Sequence, residues 1–236
     1  MFELKGARVL VVGGTSGIGL GTAQMASELG ADIMVVSRSK DKVSAARARI
    51  GHGAKAQALD TGDEAAIEAF FAKEAPFDHV VVSASQTKVA AVKELALADA
   101  YANMNSKFWG AYRIARASRI ADKGSLTLVS GYLSIRPRKG SAIQGAINAA
   151  VEGLTRGLAL ELAPVRVNCV SPGLVDTPLL DRFGANKATM LEQARKTIPV
   201  GMVGQPEHIA RQIIAFMTNP FMTGSIVYLD GGGSIA

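Results

Sequence analysis

Short runs of aliphatic and β-branched residues alternate along this chain with longer stretches in which apolar side chains return every three or four positions. Arg8–Val12 reads as a first strand and Ile18–Leu29 as the helix that follows it. The same unit repeats as strand Ile33–Val36 with helix Lys40–Ile50, and as the short strand Ala56–Leu59 with helix Glu64–Lys73. Strand Val80–Ser83 then precedes a long helix, Asp99–Ala121, and strand Ser125–Ser130 precedes another, Ala142–Leu162. Strand Val165–Val170, helix Glu207–Met217 and a last strand, Ser225–Leu229, complete the pattern. The strands lack the polar alternation of a half-exposed sheet, so they are expected to be covered on both faces. Alternating strands and helices of this kind predict the α/β class, a doubly wound parallel sheet of seven strands. Right-handed crossovers place its ligand crevice at the carboxyl ends of the strands. The one long interruption, Leu174–Thr197, is a candidate lid; Leu179, Leu180, Phe183 and Met190 in it suggest a partly apolar pocket.

A length of 236 residues suits one large α/β domain spanning 1–236, and no linker or internal repeat divides it. The net charge of +6 is spread along the chain, with one dense stretch at Arg136-Pro137-Arg138-Lys139. No aromatic residues interleave with it, which argues against nucleic acid; a solvated loop or contact with an anionic ligand accounts for it. The single cysteine, Cys169, allows no internal disulfide, and His52, His79 and His208 are too scattered for a metal site. With no signal peptide and no apolar run long enough to span a bilayer, the expected setting is the cytoplasm, away from membranes.

The first strand runs directly into Val12-Gly13-Gly14-Thr15-Ser16-Gly17-Ile18-Gly19. Gly13 permits a sharp turn, Gly17 a close approach of backbone to a pyrophosphate, and Gly19 close packing of the helix on the sheet. The helix start, with Thr15, Ser16 and Ile18 around it, offers N–H groups and a partial positive charge to phosphates. The spacing departs from the strict dinucleotide fingerprint.

It does resemble the glycine motif of the short-chain dehydrogenase/reductase family, a Rossmann-like fold, and the resemblance covers essentially the whole chain. Asp60 follows the third strand, where family members hold the adenine. Asn105 stands for the family's asparagine on the fourth helix. Ser83-Ala84-Ser85 stands for Asn-Ala-Gly after strand four. Glu152-Gly153-Leu154-Thr155 and Val165-Arg166-Val167-Asn168 resemble the fifth helix and sixth strand. Ser171-Pro172-Gly173-Leu174-Val175-Asp176-Thr177-Pro178 resembles the nicotinamide-side loop, with Pro172, Gly173, Val175 and Thr177 at the cofactor. Thr223-Gly224 and Asp230-Gly231-Gly232 resemble the family's C-terminal end. Cofactor choice turns on the end of the second strand. Ser37-Arg38-Ser39 has no carboxylate for a ribose 2′-hydroxyl, whereas Arg38 suits a 2′-phosphate, so NADP(H) is expected.

The resemblance implies a Ser, a Tyr and a Lys for carbonyl reduction or alcohol oxidation. Counting from the flanking motifs, those positions hold Gly131, Gln144 and Asn148. Gln144 cannot give up a proton near neutral pH, and Asn148 carries no charge. Ser130, Tyr132 and Ser141 flank the gap, and Arg138 or Lys139 could face an oxyanion. The candidate catalytic set is therefore Gln144, Asn148, Ser130, Asn105 and Tyr132, with Asn148 also toward the cofactor ribose. The expected function is an NADP(H)-dependent oxidoreductase with an atypical site acting on a small molecule. The alternatives are a dinucleotide-binding sensor or partner subunit without turnover, or an isomerase or lyase on the same scaffold. A stripe of Ala146, Ala149, Ala150, Gly153 and Gly157 opposite the apolar positions of its helix points to a homodimer or homotetramer.

Overall fold

In the computed structural model, which describes residues 3–51 and 53–236, seven strands form one sheet in the order β3-β2-β1-β4-β5-β6-β7. His52 lies outside the described residues. The strands are β1 (Arg8–Val12), β2 (Asp32–Ser37), β3 (Lys55–Ala58), β4 (Phe77–Val82), β5 (Ile120–Val129), β6 (Arg166–Pro172) and β7 (Ile226–Leu229). Every neighbouring pair is parallel. Side chains alternate between the two faces, so each strand feeds two cores. Leu10, Val12, Val80, Val82, Leu126 and Leu128 pack against α3 (Glu64–Lys73), α5 (Gly110–Ala117) and α6 (Ala142–Glu161), through Phe70, Phe71, Ile114 and Val151. Val9, Val11, Val35, Val81 and Val170 pack against α1 (Gly17–Glu28), α2 (Lys40–Ile50) and α8 (Pro206–Thr218), through Leu20, Ala23, Ala46, Ile213 and Phe216. Burial on both faces explains why the strands read as continuous apolar runs.

The long helix expected over Asp99–Ala121 is interrupted. It consists of α4 (Leu97–Met104), a π-helical turn at Asn105–Trp109, and α5. A π turn inserts one residue and rotates everything after it, so a uniform helical period misplaces the side chains around it. The strand that follows begins at Ile120 rather than Ser125, because Phe77 pairs with Ile120 before a register irregularity that ends at His79. Gly124 makes this possible: a side chain there would collide with the carbonyl of Asp78.

The candidate lid has structure of its own: a 3-10 segment at Pro178–Phe183 and α7 (Asn186–Thr197). Leu180 and Leu191 bury themselves with Val203, and Met190 packs on them, while Leu179 and Phe183 stay exposed. No helix among the described residues is long and apolar enough to cross a membrane.

Candidate functional site

The chain order reverses between β1 and β4, which lie side by side with Val12 opposite Val82. The loops after these two strands therefore open on one crevice. Gly13 has φ of +85°, and a Cβ on it would lie 2.5 Å from the backbone nitrogen of Ala84. Gly17 has φ of +50°, and a Cβ there would lie 3.1 Å from the methyl of Thr177. A Cβ on Gly19 would overlap the Gly13 carbonyl and the Ser83 hydroxyl, which itself donates to Val12 O at 3.2 Å. Three chain segments thus converge at contact distance, and only backbone without side chains allows it. Ser16 caps α1 in an extended conformation with no side-chain hydrogen bond to the helix. The first N–H groups of α1 face the crevice's mouth uncapped, between half-buried Thr15 and Ile18. On the far wall, Pro172 ends β6, Gly173 N donates to Leu229 O at 3.1 Å, and Val175 bridges to Gly204.

Arg38 follows Ser37 at the carboxyl end of β2 and is exposed; its guanidinium donates to the Gln86 side chain in the loop after β4. Asp60 is exposed as well, with Oδ1 accepting from Gly62 N at 2.9 Å. Arg38, Leu59 and Asp60 line one cavity of about 410 Å³. Ser85 is exposed at the edge of the crevice.

The second half of the site lies on α6. Gln144, Asn148 and Glu152 recur every four residues and share one helix face, which is turned toward the sheet and buried. Glu152 Oε1 accepts from the hydroxyls of Ser130 at 2.9 Å, Ser134 at 2.7 Å and Ser171 at 3.1 Å. Its Oε2 accepts from the Tyr228 hydroxyl at 2.9 Å. Burial and this donation to Glu152 both push the Tyr228 phenol up from its ordinary value. Ser130 therefore turns its hydroxyl inward, to Glu152.

The cation of the site is Lys107, on the π turn. Its Nζ donates to the Ser130 carbonyl at 2.7 Å and to Asn148 Oδ1 at 2.7 Å. Burial lowers its pKa to about 8, partly offset by the neighbouring Cys169 and Glu152. Lysine has only donors, so Asn148 must present its oxygen to it. Gln144 Nε2 then donates to the same oxygen at 3.2 Å. That leaves Gln144 Oε1 as a buried acceptor with no partner among the described residues. The Asn148 amide nitrogen lies where a side chain at residue 131 would go, 2.8 Å from the Cβ that Gly131 lacks.

Asn105 does not join this cluster. It is exposed, and its Oδ1 accepts from Arg113 Nη2 at 2.7 Å. The π turn places Lys107, two residues on, in the interior instead. Tyr132 is half-buried, with the Arg138 guanidinium 5.8 Å from its ring centre; Arg138 and Lys139 are exposed. Ser141 is buried and bonds locally to Arg138 O at 2.7 Å. Sequence reasoning missed Lys107 and the role of Glu152. Both carry a signal: Asn103, Lys107, Ala111 and Ile114 form the buried stripe of their helix, and Gln144, Asn148 and Glu152 form a polar stripe on an otherwise apolar face.

A family model described as enoyl-(acyl carrier protein) reductase matches residues 12–234. A short-chain dehydrogenase/reductase of Stachybotrys chlorohalonatus is 31% identical, over 98% of this chain and 98% of that protein. Among solved structures, a small-chain dehydrogenase in complex with NADPH has a TM-score of 0.87 and 32% identity, covering 98% of this chain and 100% of that one. An NADPH-bound short-chain oxidoreductase from Pseudomonas aeruginosa, described as containing an atypical catalytic center, has a TM-score of 0.91 and 28% identity, covering 98% of each chain.

Two outcomes follow from this geometry. Gly131→Ser is expected to destabilise the chain by about 1–3 kcal/mol through overpacking against Asn148. Combined with Asn148→Ala it should cost less than the two single changes together, as urea unfolding of all three variants would show. The second concerns Lys107, whose pKa is lower folded than unfolded. Between about pH 8 and 10.5 the unfolded chain holds a proton there that the folded chain has released. Stability should therefore rise across that window in the wild type relative to Lys107→Met, and the difference should be flat below it.

Proposed function

The chain belongs to the short-chain dehydrogenase/reductase family, and we propose that it works as an NADP(H)-dependent oxidoreductase, reducing a carbonyl or oxidising an alcohol of a small molecule through a rebuilt catalytic site. The observation that carries this reading is the side-chain-free cradle at Gly13, Gly17 and Gly19, set against the uncapped start of α1. A diphosphate fits such a cradle, because the backbone can approach it and the helix start favours negative charge. Arg38 would take the 2′-phosphate and Asp60 the adenine; Ser83, Ala84 and Ser85 would flank the dinucleotide. Pro172, Gly173, Val175, Thr177 and Asn148 would line the nicotinamide side. Relatives of the same fold that hold NADPH support the choice. A nicotinamide bound there supplies the hydride chemistry, and the chain's own residues hold and orient the reactants.

On the substrate side, Asn148 Nδ2 is a donor and Gln144 Oε1 an acceptor. A hydroxyl satisfies both at once. We read the segment 174–197 as the lid over this pocket, and the setting as cytoplasmic. The amide at Gln144 favours a second reading, a dinucleotide-binding sensor or partner subunit without turnover; a non-redox isomerase or lyase would also need no phenol. Absorbance at the reduced-nicotinamide band decides: steady consumption with a panel of ketones, aldehydes and alcohols supports the oxidoreductase, and tight binding without turnover supports the alternative.

The outer face of α6 supports a homodimer or homotetramer. Ala146, Ala149, Gly153 and Gly157 are exposed there, and a Cβ on either glycine would meet nothing within 4 Å. Trp109 and Tyr112 are also exposed, on the π turn and on α5.

Calorimetry on the wild type should show tighter binding of NADP(H) than of NAD(H), and Arg38→Asp should lose that preference by about tenfold or more; equal affinity in the wild type would refute the cofactor choice. Light scattering at micromolar concentration should give a dimer or tetramer, and a monomer would refute the assembly.

A further inference from the structure

We propose that Lys107, held between the Ser130 carbonyl and Asn148 Oδ1, supplies the positive charge of this site from the π turn, and that this charge makes the nicotinamide pocket select the reduced cofactor. The proposal rests on the reading of the glycine cradle as an NADP(H) site.

The placement is costly and has no packing rationale. Lys107 is 8% exposed and makes no salt bridge among the described residues. Its two partners are neutral oxygens. An aliphatic side chain would fill the same interior space without desolvating a charge. The third N–H of the ammonium has no acceptor among the described residues, so the network leaves one charged donor over. Among the described residues, Lys107 is also the only ionisable group bonded directly to one of the positions 131, 144 and 148. Asn148 is the residue that the family resemblance sets beside the cofactor ribose, and Lys107 touches it at 2.7 Å.

A fixed cation in a low-dielectric pocket acts on charge wherever it appears. The oxidised nicotinamide ring carries a positive charge and the reduced ring carries none. Lys107 therefore penalises the oxidised form and leaves the reduced form alone, which favours loading for reduction. The groups facing Lys107 offset this only in part. Cys169 on β6 has its thiol pKa pushed up by burial, which favours the neutral form. Glu152 on α6 acts on Lys107 through space and raises its pKa, but forms no ion pair with it, because four hydroxyls take its oxygens, three on Oε1 and one on Oε2. Lys107 loses its proton near pH 8, so the selection should fade above that point.

The test is calorimetric and needs no substrate. Dissociation constants for NADPH and NADP⁺ are measured at pH 6.5 and pH 9.5 on the wild type, Lys107→Met, and the swap Lys107→Asn with Asn148→Lys. The 2′-phosphate is common to both cofactor forms, so its own ionisation cancels in their ratio. The wild type should prefer NADPH by about tenfold at pH 6.5, and less at pH 9.5. Lys107→Met should lose the preference at both values. The swap returns the charge to the pocket on α6 and should restore it at pH 6.5, which a merely structural lysine would not do. Equal affinities for the two forms in the wild type at pH 6.5, or a preference unchanged in Lys107→Met, would overturn the assignment while leaving the cofactor site standing. Failure of both forms to bind the wild type would overturn the cofactor reading, and this inference with it. Should Lys107→Met fail to fold, the swap and the wild-type pH pair still decide.

Discussion

Glu152 is a buried carboxylate with no cation within ion-pair distance among the described residues, and the interior of the active face is organised around keeping it solvated by protein. A charge taken out of water must recover its lost hydration from fixed dipoles. Four hydroxyls do so here, and they come from different parts of the chain: Ser130 after β5, Ser134 in the turn that follows, Ser171 on β6 and Tyr228 on β7. Meeting that demand pins α6 to the carboxyl half of the sheet. It also commits the Ser130 hydroxyl, so that its carbonyl is left for Lys107. The two charges are thus separated by one residue and held by opposite ends of it, which keeps them from collapsing into a simple ion pair.

The cofactor half depends on a different constraint, steric rather than electrostatic. The turn after β1 must pass within backbone contact of the loop after β4, and the start of α1 must pass the loop after β6. Gly13, Gly17 and Gly19 are the residues at those crossings. This end is closed by the absence of side chains; the other end is closed by hydrogen bonds between them. A substitution at the first should act through backbone displacement, and one at the second through unsatisfied polar groups.

That difference explains what could be read from the sequence. The strands were legible because burial on both faces makes their central runs mostly apolar, and the glycine turn because positive φ and close approach restrict residue type. The limits of β5 were not, since Ile120–Gly124 pairs through an irregularity that Gly124 permits and that no periodicity encodes. Asn105 and Lys107 were not told apart either. The stripe Asn103, Lys107, Ala111 and Ile114 puts Lys107 on the inner face, but a lysine there reads as an exception to an apolar stripe, and the resemblance pointed to Asn105 instead. Gln144 and Asn148 could be singled out along the chain, but their bonding partner was invisible, because Lys107 comes from the helical segment before β5 and they come from the helix after it.

Once the partner is known, the residue types at Gly131, Gln144 and Asn148 stop being independent of one another. Lys107 requires an acceptor, which Asn148 provides and a lysine at residue 148 would not. Asn148, so oriented, sends its amide nitrogen toward residue 131, where a side chain would crowd it. Its oxygen, already bonded to Lys107, also takes the Gln144 amide, and that in turn aims Gln144 Oε1 as an acceptor. Each residue type follows from the one before it. A site that had merely decayed would leave unpaired groups scattered through it. Among the described residues, this one leaves its unpaired groups together: the Gln144 Oε1 acceptor, the Asn148 amide nitrogen and one N–H of the Lys107 ammonium, all on one connected network.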